Sequence, residues 1–93
     1  MYYNIESAKT LINEASKNIE SLKILDGYKS SLQYYLVRLF DHVVNGKSGS
    51  LWDLENQVMQ SIDCMDYNPR EEGSPYAIMN KLFKELKSLR ISD

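Results

Sequence analysis

Two side chains in this sequence have the chemistry for nucleophilic or acid–base catalysis near neutral pH, the single histidine His42 and the single cysteine Cys64. A Cys/His mechanism needs the thiol and the imidazole within hydrogen-bond reach, and the apolar patterning places these two on different helices. Cys64 lies one residue from an apolar stripe, where a buried or half-buried thiol behaves as a small apolar group. His42 follows Asp41 near the end of its helix, a position where the helix dipole favours a cation. A metal centre would need a Cys pair, a His pair or Glu-x-x-His ligands on facing helices, and a phosphate loop would need a glycine-rich run. The sequence carries none of these, so no catalytic residue, metal or cofactor is expected, and the chain is not expected to be an enzyme.

A second kind of chemistry, recognition, is concentrated in Asp66-Tyr67-Asn68-Pro69-Arg70-Glu71-Glu72-Gly73-Ser74-Pro75, the longest stretch without helical patterning. Two prolines stiffen it, Tyr67 and Tyr76 flank it, and the carboxylates of Asp63, Asp66, Glu71 and Glu72 border it. Aromatic anchors ringed by acids suit a basic protein surface, because carboxylates speed encounter and set register while buried aromatics supply most of the affinity. Asn68 and Arg70 complete the candidate partner-binding set of Asp63, Asp66, Tyr67, Asn68, Arg70, Glu71, Glu72 and Tyr76. The plainer alternative is a tight interhelical turn with Tyr67 folded onto the core. Trp52 is either a surface anchor or a core residue in the first turn of its helix, and core packing is the expectation. Tyr2, Tyr3, Tyr28, Tyr34 and Tyr35 are accounted for as bundle edges.

The 93 residues, 43 % apolar and 26 % charged, are those of one globular domain over 1–93 with a single core. One cysteine permits no intrachain disulfide, which favours a reducing, cytoplasmic setting. No apolar run approaches the ~20 residues needed to cross a bilayer, and the first residues lack the basic and apolar regions of a signal peptide, so neither membrane association nor export is expected. A formal net charge of −2 gives no basis for direct nucleic-acid binding. The charge is unevenly spread: residues 1–45 hold five basic and five acidic side chains, residues 46–73 two and six, residues 74–93 four and two. Acidity therefore gathers before and within the central loop, where it can steer a basic partner or simply solvate a helix face.

The elements that position these groups read as helices throughout. Ile5, Ala8, Ile12, Ala15, Ile19 and Leu22 recur by three and four, with Leu11 and Leu25 beside them, Asn4 as N-cap, Lys23 near the end and Gly27 as the left-handed closing residue. Leu32, Tyr35, Leu36, Leu39, Phe40 and Val43 define a second helix opened by Ser30 or Ser31. Leu51, Leu54, Val58, Ile62 and Met65 define a third capped by Ser50, and Ile78, Met79, Leu82, Leu86 and Leu89 a fourth that starts at Ser74-Pro75. Helices over about residues 4–26, 30–45, 50–65 and 74–91 joined by short loops predict an all-α fold, a small antiparallel four-helix bundle.

At the loop the sequence resembles the colicin and pyocin nuclease immunity proteins, small acidic four-helix proteins that bind and neutralise a nuclease toxin. That family carries Tyr-Tyr-Pro, a short acidic and Gly-containing stretch, and Ser-Pro opening the last helix; here the residues are Tyr67-Asn68-Pro69, Arg70-Glu71-Glu72-Gly73 and Ser74-Pro75. The likeness covers about residues 64–86, with Asn68 in place of the second Tyr and without the Gly-Ser-Asp run that usually precedes the motif. It implies that Tyr67 contacts the toxin and that Asp63, Asp66, Glu71 and Glu72 form an acidic specificity surface. The missing Tyr widens the expected toxin to nucleases of other classes, contact-dependent inhibition toxins included. The expectation is thus a bacterial, cytoplasmic immunity protein acting as a monomer in a 1:1 complex with a basic nuclease domain. The alternative is another small helical interaction protein, either a phage-encoded inhibitor of a host or defence protein or a regulator that works as a homodimer through Tyr34, Tyr35 and Phe40.

Overall fold

The computed structural model describes residues 2–45, 51–65 and 74–91. Along the chain run β1 (Tyr2–Tyr3), α1 (Ile5–Glu20), α2 (Asp26–Asn45), α3 (Leu51–Asp63), α4 (Pro75–Ser88) and β2 (Arg90–Ile91). Each helix packs on the next and α4 returns to α1, closing a ring of four. The result is an all-α antiparallel bundle, a rod of 40 × 21 × 21 Å.

The antiparallel register is visible in the polar ties between neighbours. Between α1 and α2, the Gln33 amide donates to the Ser16 carbonyl at 3.0 Å, and Lys29 Nζ donates to the Glu20 carbonyl at 2.8 Å, so one helix descends as the other climbs. Between α2 and α3 the Ser31 and Ser61 hydroxyls meet at 3.4 Å and Arg38 Nη1 donates to Gln57 Oε1 at 2.8 Å. Lys87 Nζ reaches both carboxylate oxygens of Glu55, at 2.8 and 3.0 Å, to join α3 and α4. The ring is fastened at its ends by the two-residue ladder pairing Tyr2 with Ile91 and Tyr3 with Arg90, continued by the Asn4 N–H on the Leu89 carbonyl at 3.2 Å.

Apolar stripes at helical spacing supply the core. Ala8, Ile12, Ala15 and Ile19 of α1, Leu32, Leu36, Leu39 and Val43 of α2, Leu51, Leu54, Val58 and Ile62 of α3 with Met65 behind them, and Met79, Leu82, Phe83 and Leu86 of α4 are all buried. Three of the four stripes repeat by three and four. In α4 two adjacent positions, Leu82 and Phe83, are both inside, so its buried face is wider than a single stripe. The caps at Asn4 and Ser74 form as the sequence indicates: Asn4 accepts from the Ser7 N–H at 3.2 Å and Ser74 Oγ from the Ala77 N–H at 3.1 Å, with Pro75 at the first helical position. Ser50, expected to cap α3, lies outside the described residues.

The helix boundaries depart from the sequence reading at three places. The first helix ends at Glu20 instead of about residue 26, and the second begins at Asp26 instead of Ser30 or Ser31. No Gly or Pro enforces this break. The Lys29 ammonium satisfies an orphan carbonyl of the last α1 turn, the Leu25 carbonyl accepts from the Tyr28 and Lys29 N–H groups to start α2, and Asp26 faces the positive end of the new helix. Leu25 is consequently 65 % exposed, although its spacing placed it beside the stripe. Gly27 is helical and not a left-handed closing residue. The last helix stops at Ser88, and Arg90–Ile91 pair as strand where helix was expected to about residue 91.

Two consequences can be measured. A Cβ at Gly27 would meet nothing within 4 Å, so Gly27→Ala should stabilise the protein by about 0.5 kcal/mol through the entropy of the unfolded chain. A left-handed Gly27 would give the opposite sign, so urea denaturation of the two proteins separates the two conformations. Phe83 has 0 % exposure, and Phe83→Ala should cost about 3–5 kcal/mol by leaving a cavity, a large part of the ~5–15 kcal/mol typical of a whole domain. A loss of unfolding free energy in urea well below that range would show that the bundle collapses onto the gap.

Candidate partner-binding surface

The connection between α3 and α4 is fixed at both ends. Met65, 7 % exposed, enters the core two residues after α3 ends, and the chain emerges again at Ser74, also 7 % exposed, followed by the fully buried Pro75. Of the sequence-derived set, Asp66, Tyr67, Asn68, Arg70, Glu71 and Glu72 lie between these posts, outside the described residues. The remaining two flank the connection. Asp63, the last residue of α3, is exposed, whereas Tyr76 in the first turn of α4 is half-buried and packs against the core.

Helical phase places both on one side of the molecule. The Glu55–Lys87 ion pair marks the flank of α3 that faces α4. One step further out on that flank, Trp52, Asn56, Met59 and Asp63 follow at intervals of four, three and four, a single strip about 16 Å long at 1.5 Å per residue. On α4 the corresponding flank carries Tyr76, Asn80 and Lys87. Asp63 and Tyr76 therefore stand at the loop end of the α3–α4 face and Trp52 stands at the other.

Trp52 is 65 % exposed, which overturns its expected place in the core. The phase of α3 explains it: with Leu51, Leu54, Val58 and Ile62 inward, the position after Leu51 must point out. Cys64 is likewise exposed, not buried or half-buried, because α3 ends at Asp63 and the turn that brings Met65 inside leaves the thiol in solvent. His42 and Cys64 are not brought together. His42 lies one turn beyond Arg38, which touches Gln57, and Cys64 lies seven residues beyond Gln57 in the other direction, a separation of about 16 Å along the bundle.

Electrostatically, α3 holds Asp53, Glu55 and Asp63 and no cationic side chain, while α4 holds Lys81, Lys84 and Lys87. Glu55 is matched by Lys87, and Lys81 approaches Glu85 at 4.0 Å across one helical turn. The boundary between acidic and basic surface thus runs along the α3–α4 groove. Among the described residues no group of three or more His, Cys, Asp or Glu side chains is arranged to hold a metal ion, and no helix is long and apolar enough to cross a membrane.

One further surface was not singled out from sequence, and a second was indicated only through Tyr34. A shallow groove between α1 and α4, about 370 Å³, has Leu11, Ala15, Ile78 and Leu82 as its floor and Glu14, Asn18, Lys81 and Glu85 at its rim. On the outward side of α2, Tyr34 and Val37 are 58 % and 67 % exposed, and the Arg38 guanidinium lies 5.8 Å from the Tyr34 ring centre. Tyr35 and Phe40, expected beside Tyr34 at an interface, instead pack against the core. The signal for Val37 was its phase opposite Leu32, Leu36 and Leu39, which composition alone obscures.

The chain matches no protein-family model, no curated protein and no solved structure. Its class is therefore the one its fold defines, a small antiparallel helical bundle whose large exposed side chains sit on helix flanks.

As the only tryptophan, Trp52 reports directly on this surface. The free protein should show the emission of a hydrated indole, quenched by acrylamide nearly as readily as a small tryptophan derivative. Trp52→Ala should alter stability by no more than about 0.5 kcal/mol; a loss several times larger would return the indole to the core.

Proposed function

We propose that this chain is a non-enzymatic immunity protein that binds and neutralises a toxin domain, a basic nuclease, through the α3–α4 connection and the adjoining flank of α3. The observation that carries this reading is that Trp52 and Asp63 stand exposed at the two ends of one strip of α3, a helix whose charged side chains are all acidic, next to a connection that follows buried Met65 and ends at buried Pro75. A large aromatic side chain left in water on a rigid helix contributes little to folding and much to an interface, since it is already ordered and its desolvation accompanies binding. The resemblance of Tyr67-Asn68-Pro69 to Ser74-Pro75 supplies the partner class.

Such a protein needs no chemistry of its own. A nuclease must present cationic side chains where it holds phosphates, and carboxylates at Asp53, Asp63, Asp66, Glu71 and Glu72 attract the same side chains that the nucleic acid would occupy. Occupying that surface, or standing beside it with negative charge, excludes the substrate. Aromatic contacts from Tyr67 and Trp52 then set the lifetime of the complex, because short-range burial governs dissociation more than encounter.

The test takes as candidate partner a basic nuclease toxin domain from a gene neighbouring the one for this chain, prepared in a catalytically inactive form, with binding followed by calorimetry and by Trp52 emission. A 1:1 complex that blue-shifts the indole is expected. Tyr67→Ala should weaken it by about 2 kcal/mol, roughly thirtyfold in Kd, and Asp63→Lys should slow association most strongly at low salt. Absence of binding by the folded protein, or a Tyr67→Ala variant with unchanged affinity together with an unshifted indole, would overturn the assignment.

A further inference from the structure

Asn45 is the last residue of α2 and stands exposed there, with its side-chain amide donating to Asp41 Oδ1 at 2.6 Å, one turn back. Of the seven asparagines in the chain it is the only one followed by glycine. The others precede Ile5, Glu14, Ile19, Gln57, Pro69 and Lys81, whose side chains crowd the following peptide nitrogen or, at Pro69, leave it without a proton to lose. Glycine has no Cβ, so the peptide nitrogen after Asn45 is the least hindered of the set.

We propose that Asn45 is a site of spontaneous deamidation, and that its tie to Asp41 first slows the reaction and then magnifies its effect. The peptide nitrogen of Gly46, its proton lost to solvent base, attacks Cγ of Asn45. A C–N bond forms, the bond from Cγ to the amide nitrogen breaks, and that nitrogen takes up a proton and leaves as ammonia. Water then opens the cyclic imide at one of its two carbonyls. The product is aspartate or isoaspartate, with a carboxylate where the amide had been.

Asp41 restrains the first step in two ways. A side chain that reaches back one turn to residue 41 is turned away from the nitrogen of residue 46, so the hydrogen bond must be released before the ring can close. A negative charge beside the amide also opposes the negative charge that develops on its oxygen during attack. After conversion the donor has become an acceptor. Two carboxylates then stand four residues apart on one helix face, a destabilising pair, at the end of the helix where the dipole already disfavours an anion. The bond that finished α2 has become a repulsion, and nothing in the chain reverses it. The reaction is independent of the toxin reading, since Asn45 lies on α2 and the α3–α4 face takes no residue from that helix.

Full-length protein, kept folded at mildly alkaline pH for several weeks and digested at intervals, should lose the Asn45 amide before that of any other asparagine. Peptide mass spectrometry and isoaspartate-specific methyl labelling read the conversion. Asp41→Ala should speed it by about threefold or more, as release of one exposed hydrogen bond implies. Asn45→Asp, which reproduces one product, should lower the melting midpoint by a few degrees in the parent and by less than half as much in an Asp41→Ala background, because the two effects share one pair of side chains. A folded protein that keeps its Asn45 amide, an Asp41→Ala variant that converts at the parental rate, or an equal loss of midpoint in both backgrounds would each overturn the proposal.

Discussion

Everything in this molecule follows from having to bury one narrow stripe per helix in a rod only 21 Å across. With four helices in a ring, each side chain on a stripe meets its counterparts on two neighbours, so the interior is spent on Leu, Ile, Val, Ala, Met and Phe. The polar ties lie at the rims of the grooves and not in the centre. That arrangement suits their strength: an exposed or half-exposed pair such as Lys87 with Glu55 is worth little in stability, yet it discriminates one register from another, because a one-turn slip of α4 would remove the pair altogether. Packing supplies the free energy and the polar ties select among the registers it permits.

The sequence revealed the parts of this design that depend on local spacing and left obscure those that depend on a neighbour. The α3 stripe of Leu51, Leu54, Val58, Ile62 and Met65 is buried throughout, and the Asn4 and Ser74 caps form, because each is decided within one or two turns of chain. The break at residues 21–25 was illegible because a contact that accompanies it, Lys29 on the Glu20 carbonyl, exists only once α2 has folded back. Phe83 was missed because it lies beside Leu82 and widens the buried face of α4 beyond the single stripe that the spacing defines. Trp52 shows the converse error, in which the identity of an apolar side chain outweighed a phase that already pointed it into solvent. For the candidate site the legible part was its location between α3 and α4. Asp63 and Tyr76 stand on either side of that connection as the order of residues requires, while Asp66, Tyr67, Asn68, Arg70, Glu71 and Glu72 fall outside the described residues.

Charge adds an order that packing does not demand. Concentrating carboxylates on α3 and lysines on α4 makes the outer edge of their groove a boundary between fields of opposite sign, and the Glu55–Lys87 pair sits on it. A partner approaching with a cationic surface is drawn to the α3 side and repelled by Lys81 and Lys84, so the same distribution that attracts also orients. Residues on the outward face of α2 mix the two signs within one turn, and a field of that kind decays within a few ångströms of the surface. The longer-ranged field thus lies on the α3–α4 side of the rod.

Rigidity decides how much of an exposed aromatic side chain is useful. Had Trp52 been carried by a long loop, fixing that loop would absorb a large part of what its burial returns, since each residue ordered on binding costs about 1–2 kcal/mol of backbone entropy. On α3 the backbone is already fixed by the inward stripe beneath it, and only two side-chain torsions remain to be settled. The same holds for Tyr34, whose ring is held edge-on against Tyr35 at 5.6 Å and flanked by Arg38. Leaving these rings in water forgoes a modest amount of folding stability that the core supplies elsewhere, and it keeps them ordered on the surface of the bundle. A protein this small can recognise others only with what its core does not need, and here that surplus is held in place by the core itself.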